Sequence, residues 1–217
     1  MSVIETQILE PRKEPNPEFG QLASDEAVKR TAVALRAHGM EVLVVNTGEE
    51  AKQAVLKIVP HGASVYSTSS QTLDTIGLTH ELNETGHYHS IRKRTIAMDR
   101  KTEMTEIRRL QSSHDFVVGS VHAITETGSV LIASRGGSQL PAYAYGADRV
   151  IWVAGTQKIV TDIEEGLQRL YQYSLPLEDV RARKAYGISS AINKILIVNA
   201  ETPGRTTVVL VKENLGF

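Results

Sequence analysis

Apolar residues in this chain recur at two spacings, and the switches between them predict its elements. Val28, Ala32 and Leu35 form one apolar stripe on a helix over residues 24–38. Ser24 is suited to cap that helix, Asp25 and Glu26 suit its positive end, and Gly39 stops it. Residues 41–46 read as a buried strand. Thr47 and Glu50 then have capping-box spacing ahead of Ala51, Ala54, Val55 and Ile58, and Pro60 closes this second helix. Residues 63–67 are the next strand. Helix, strand, helix, strand over the first third predicts an α/β domain with a largely parallel sheet.

The alternation continues. Residues 102–111 form a helix with Met104, Ile107 and Leu110 inward, and residues 115–119, 129–133 and 149–154 are strands. Ile159, Val160, Ile163, Leu167, Leu170 and Tyr171 predict the most clearly amphipathic helix of the chain. Residues 177–185 predict another, carrying Arg181, Arg183 and Lys184. Residues 194–199 and 206–211 close the chain as strands. Pro203-Gly204 between them suits the centre of a type II turn, so a C-terminal antiparallel hairpin is expected. Residues 1–20 are polar, hold Pro11, Pro15 and Pro17, and have no period. They are expected to be an N-terminal arm or tail, able to dock on a second subunit of a homo-oligomer. Residues 21–217 are expected to form one domain.

Composition narrows the function classes. A chain of 217 residues with 41% hydrophobic and 23% charged positions can build a proper core. A net charge of −1 provides no field toward nucleic acid or an anionic membrane. No apolar run reaches membrane-span length, and residues 1–20 lack the apolar segment of a signal peptide. The expected protein is cytoplasmic, with neither nucleic-acid binding nor membrane insertion. It has no cysteine, which excludes disulfides, a thiolate nucleophile and a Cys-ligated zinc or iron–sulfur site in this chain.

Three segments are candidates for chemistry. Ser67, Thr68, Ser69 and Ser70 follow a predicted strand and precede a predicted helix, where hydroxyls and free backbone N–H groups suit a phosphate or carboxylate. The same residues also suit a plain N-cap. Glu126, Thr127, Gly128 and Ser129 occupy a bend between two strands. Glu126 is there either a solvated turn residue or a nucleophile, base or ligand-orienting carboxylate. Arg135, Gly136 and Gly137 combine an anion partner with close backbone approach, or form a surface loop. His87 and His89, with His114 and His122 elsewhere, lack a metal-binding motif, and no metal is assigned. Neither a Walker loop nor G-x-G-x-x-G occurs.

Thr72-Leu73-Asp74-Thr75-Ile76-Gly77-Leu78, Thr125-Glu126-Thr127-Gly128-Ser129 and Gln139-Leu140-Pro141 together resemble the LUD-domain family, of the LutC/YkgG type. The likeness continues through Ala147-Asp148-Arg149-Val150-Ile151, Gln157-Lys158-Ile159-Val160, Tyr186-Gly187, Asn193-Lys194-Ile195-Leu196 and Glu213-Asn214-Leu215-Gly216-Phe217. It implies a Rossmann-like three-layer fold similar to that of ribose-phosphate isomerases, glucosamine-phosphate deaminases and CoA transferases. In such enzymes serine- and glycine-rich loops hold phosphate or acyl-carrying ligands, and a Glu of the CoA transferases forms the acyl-enzyme. It further implies a component of bacterial lactate utilisation, assisting oxidation of L-lactate to pyruvate with iron–sulfur partner subunits that carry the redox cofactor. The alternative is a stand-alone enzyme or ligand-binding protein for a phosphorylated or CoA-linked small metabolite. Under either reading the expected ligand is a small anionic metabolite. Glu126 is the expected catalytic residue. Ser67, Thr68, Ser69, Ser70, Thr127, Gly128, Ser129, Arg135, Gly136 and Gly137 are the expected ligand contacts.

Overall fold

The structure is a computed structural model that describes residues 14–217. Helix α1 (Asp25–Ala37) starts where Ser24 accepts the Ala27 N–H and stops before Gly39, whose φ of +85° carries the chain into β1 (Glu41–Val45). The Thr47 hydroxyl accepts the Glu50 N–H to begin α2 (Gly48–Ile58). Strand β2 (Ser64–Ser67) follows, then the short helices α3 (Gln71–Thr75) and α4 (Leu78–Glu84). Next come β3 (His89–Ser90), α5 (Ile91–Ile96), α6 (Met104–Ser112) and β4 (His114–Gly119). The remaining strands are β5 (Ala123–Thr125), β6 (Val130–Ser134), β7 (Ala147–Gly155), β8 (Ile159–Val160), β9 (Lys194–Val198) and β10 (Thr206–Val211). Helices α7 (Ile163–Arg169) and α8 (Leu175–Tyr186) lie between β8 and β9.

Six strands form one parallel sheet in the order β1-β10-β7-β4-β2-β3. Its central strands are apolar on both faces because both faces are covered. Val150, Trp152, Ala154, Val208 and Leu210 point into a core shared with Val28, Ala32 and Leu35 of α1 and with Ile124 and Ile132. The alternate residues Ile151, Val153, Val209 and Val211 point to the other side, against Ala51 and Val55 of α2, Leu73 of α3 and Leu78 and Leu82 of α4. This is the expected Rossmann-like layered α/β arrangement. A four-stranded sheet, β8-β5-β6-β9, forms part of the first face, and α7 packs on its far side through Gly166, which abuts Leu131 and Ala123.

Three expectations are corrected. The turn at Pro203-Gly204 forms, with Gly204 at φ +84° and Arg205 N–H donating to Thr202 O at 3.1 Å, but the strands on either side do not pair. β9 lies antiparallel to β6, whereas β10 inserts between β1 and β7. The physical reason is burial. All six residues of β10 are buried, as a central strand requires, whereas those of β9 are half-buried or exposed at a sheet edge. β1 is an edge strand with Leu43 and Val44 exposed rather than buried. Ile159 and Val160 form β8 instead of opening the amphipathic helix, because Asp162 caps α7 by accepting the Glu165 N–H.

Of the expected arm, residues 1–13 lie outside the described residues. Pro17–Gly20 form a 3-10 turn, and Asn16 N–H donates to Gln172 O at 2.8 Å. No described helix is long and apolar enough to cross a membrane.

Candidate functional site: a cationic cleft at the carboxyl ends of the strands

Because the large sheet is parallel, the loops after β2, β4 and β7 emerge on one side, where ligands of such sheets bind. They converge on a cleft of about 650 Å³, a size common for small-molecule sites. Thr68, Ser69, Ser70 and Thr72 enter it after β2, Ser120 and His122 after β4, and Lys158 after β7. The opposite wall comes from the end of β6, with Ser134, Arg135 and Gly136, and from α8 and its exit, with Arg181, Tyr186 and Ser190.

The floor is held by side chains that bond one another. Ser70 caps α3 through the Leu73 N–H at 3.3 Å. The Thr68 hydroxyl and Tyr143 OH share a bond of 3.1 Å across the end of β4. A Cβ on Gly119 would collide with both oxygens, so this position admits glycine for reasons of space. Tyr143 is seated edge-on to Trp152 at 5.5 Å, and burial pushes its hydroxyl above its ordinary pKa.

Lys158 is the central feature. It is 1% exposed, and its Nζ donates to Thr72 Oγ1 and Ser120 Oγ, each at 3.0 Å. Among the described residues no carboxylate pairs with it. Burial, and then the Arg169 charge, hold its ammonium well below the usual lysine range. Arg169 is also buried without a carboxylate among the described residues. Its guanidinium donates to the carbonyls of Gln157, His122 and Phe19 and to Ser174 Oγ, and lies 5.0 Å from the Tyr173 ring. Desolvation brings it down to about 10.

His122 completes the group. Its Nδ1 accepts the Ala133 N–H at 3.2 Å, which places the ring proton on Nε2. Burial, then the charges of Lys158 and Arg169, push it down to about 3, so it is a neutral imidazole at neutral pH. Nearer the mouth, Arg92 donates to Ser69 Oγ at 3.0 Å, and Arg181 forms a two-point pair with Glu178 at 2.6 and 2.7 Å. Arg92, Arg100, Arg135 and Arg181 line the cleft against Asp74 and Glu178, so its balance is cationic without Lys158, although the chain as a whole is not.

A model of the LUD domain matches residues 28–211. The chain belongs to the LUD-domain family. Its fold is similar to the crystal structure of a DUF162 family protein from Deinococcus radiodurans, with a TM-score of 0.56 and 16% identity. That likeness covers 88% of this chain and 99% of the other. No curated protein matches the chain.

In this LUD domain the expected ligand contacts divide between the cleft and other places. Thr68, Ser69, Ser70, Arg135 and Gly136 line the cleft together. Ser67 does not line it; its hydroxyl is buried against Asn83 at 3.0 Å, where it anchors α4 to β2. Gly137 stands beside the cleft with φ +87°, and a side chain there would meet Lys194.

The turn from Glu126 to Ser129 is elsewhere, which corrects its expected placement. β5 leaves the cleft at His122 and β6 returns to it at Ser134, so the turn joining them lies a strand length away, roughly 10 Å. Glu126 accepts from Arg30 Nε of α1 at 2.7 Å and is not in contact with the cleft. The Thr127 hydroxyl bonds Thr125, Gly128 packs on the Ala34 backbone, and Ser129 donates to Asn199. His87 stacks on His61 with ring centroids 4.6 Å apart, also outside the cleft.

From sequence, His122 entered only among the histidines weighed for a metal, Lys158 only within a family-like motif, and Arg169 not at all. The usable signal was a lysine three residues after an apolar strand and directly before another apolar pair, Gly155-Thr156-Gln157-Lys158-Ile159-Val160. A charge so placed cannot easily reach solvent.

Proposed function

We propose that this LUD protein works in lactate utilisation by holding a small organic anion in the cleft around Lys158, alongside partner subunits that carry the redox centre. The observation supporting this is the cationic, hydroxyl-lined cleft at the strand ends. An anion there would satisfy cations that have no carboxylate partner among the described residues, and would interact strongly because the surroundings are poorly solvated. The link to lactate utilisation comes from the family. With no cysteine in this chain to ligate an iron–sulfur cluster, oxidation of L-lactate to pyruvate is assigned to iron–sulfur partners.

A second reading, a phosphorylated or CoA-linked metabolite, is favoured by the number of arginines at the mouth, which suit a phosphate better than a single carboxylate. Titration calorimetry with L-lactate, pyruvate, inorganic phosphate, dihydroxyacetone phosphate and acetyl-CoA tests both. Saturable heat from at least one anion is expected. An Arg92→Ala substitution should weaken that binding by about tenfold or more, the scale of a charged hydrogen bond. No heat from any of them would discard the anion site.

A further inference from the structure

Four of the polar groups around the cleft floor bear on Lys158. Thr72 and Ser120 contact it directly, the Arg169 guanidinium is a charged neighbour, and His122 is a neutral one. The carboxylates of the same cleft are engaged elsewhere. Asp74 accepts from Gln71 and Thr79, and Glu178 from Arg181. An ammonium at this position would be buried, beside a guanidinium, with only two hydroxyl oxygens to receive it. A neutral amine fits the same place at lower cost and keeps a free electron pair.

We propose that Lys158 Nζ is a nucleophile that condenses with the carbonyl carbon of the anion held in the cleft, forming an imine. This rests on the anion-binding reading above. It adds the ligand class, a carbonyl compound bearing a carboxylate or phosphate. The lone pair of Nζ forms the C–N bond while the carbonyl π pair moves to oxygen. The two amine protons pass in turn to that oxygen, and the Ser120 hydroxyl, 3.0 Å from Nζ, would relay them, whereas the Thr72 hydroxyl accepts from Nζ and spends its own proton on the Leu215 carbonyl. The oxygen leaves as water and a C=N bond remains, so no electrons are gained or lost. Arg92 and Arg135 on the walls would hold the anionic end while the carbonyl faces the floor.

The test is reductive trapping on the full chain at pH 7. The probes are pyruvate and, separately, dihydroxyacetone phosphate, with cyanoborohydride as reductant and peptide mapping by mass spectrometry. An ordinary solvated amine is almost wholly protonated at that pH and labels slowly. The expected result is one reduced adduct on Lys158 formed at least about tenfold faster than on any exposed lysine, as its larger neutral fraction requires. The probe that labels shows whether carboxylate or phosphate is the anchor. A Lys158→Met chain should lose that adduct and keep the slow surface labelling. Mapping on the unaltered chain decides the matter even if that variant does not fold. Anion binding by calorimetry with no adduct on Lys158 overturns the amine chemistry and leaves the anion site standing. Neither binding nor adduct overturns both.

Discussion

A titratable side chain that the fold holds in its neutral form makes stability depend on pH, and His122 gives the clearest case. Its folded pKa is about 3 against an ordinary value of 6.5. Below pH 6.5 the unfolded chain takes up a proton that the fold refuses until about pH 3, so this contribution is present above 6.5 and is lost as pH falls through that window. Urea unfolding of a His122→Asn chain should show a shallower loss of stability over that range than the unaltered chain. At neutral pH the variant should be weaker by no more than ~1 kcal/mol, because the asparagine side-chain oxygen can take over as acceptor for the Ala133 N–H. Glu126 is the opposite case. Its pairing with Arg30, whose side chain is 59% exposed, is a surface ion pair. Glu126→Gln should change stability by less than ~1 kcal/mol and leave anion binding by calorimetry unchanged. A large loss of binding would return the turn to the functional site. Both residues show what sequence conveyed at this scale. Hydroxyls and glycines at strand ends have a local signature, and Thr68, Ser69, Ser70 and Gly136 were legible through it. Lys158 and His122 depend on which strands become neighbours, and Glu126 had an attractive local context in the wrong place.

Elements were more legible than sites, because caps and breakers act within a few residues. Ser24, Thr47, Ser70 and Asp162 all cap helices. Pairing partners were less so: the Pro203-Gly204 turn has correct local chemistry, yet burial sends β9 and β10 to different sheets. The passage from α7 to α8 shows a local irregularity used over long range. The two helices run on through a π turn, Leu170–Ser174, and Pro176 supplies no N–H to the Gln172 carbonyl four residues back. Asn16 N–H occupies that carbonyl at 2.8 Å. A Pro176→Ala chain offers the carbonyl a competing intrahelical donor. Hydrogen exchange should then report faster exchange at Asn16, with α7 unchanged. At the end of β4, Gly119→Ala should destabilise by about 1–3 kcal/mol, since the new methyl must part Thr68 from Tyr143. A thermal melt matching the unaltered chain would show that the two side chains can withdraw without loss.

At the scale of the whole molecule the cleft is a seam. One wall belongs to the parallel sheet and its loops, the other to β6 of the smaller sheet and to α8 with the segment leading into β9. The second wall is well exposed: Tyr186 is 60% and Ile188 48% exposed, and the cleft side chains Arg135 and Ser138 are exposed as well. Local opening is easiest where few apolar groups are buried, so residues 187–193 should exchange their amides faster than the central strands β7 and β10. An anion bridging Arg92 on one side and Arg135 or Arg181 on the other would bind the closed seam better than the opened one, and that difference is what shifts the population. At a free concentration about 100 times its Kd it would stabilise the bound form by ~2.7 kcal/mol. Any opening that breaks the site should slow by up to the matching factor of about 10². Hydrogen exchange with and without the anion that calorimetry identifies should therefore show protection gained at residues 187–193 and around Gly136. The interior of β10, already closed, should change only by the global increment. Protection confined to residues 68–72 would mean that the ligand engages the parallel-sheet wall alone and that the arginines of α8 and the β6 loop take no part in holding it.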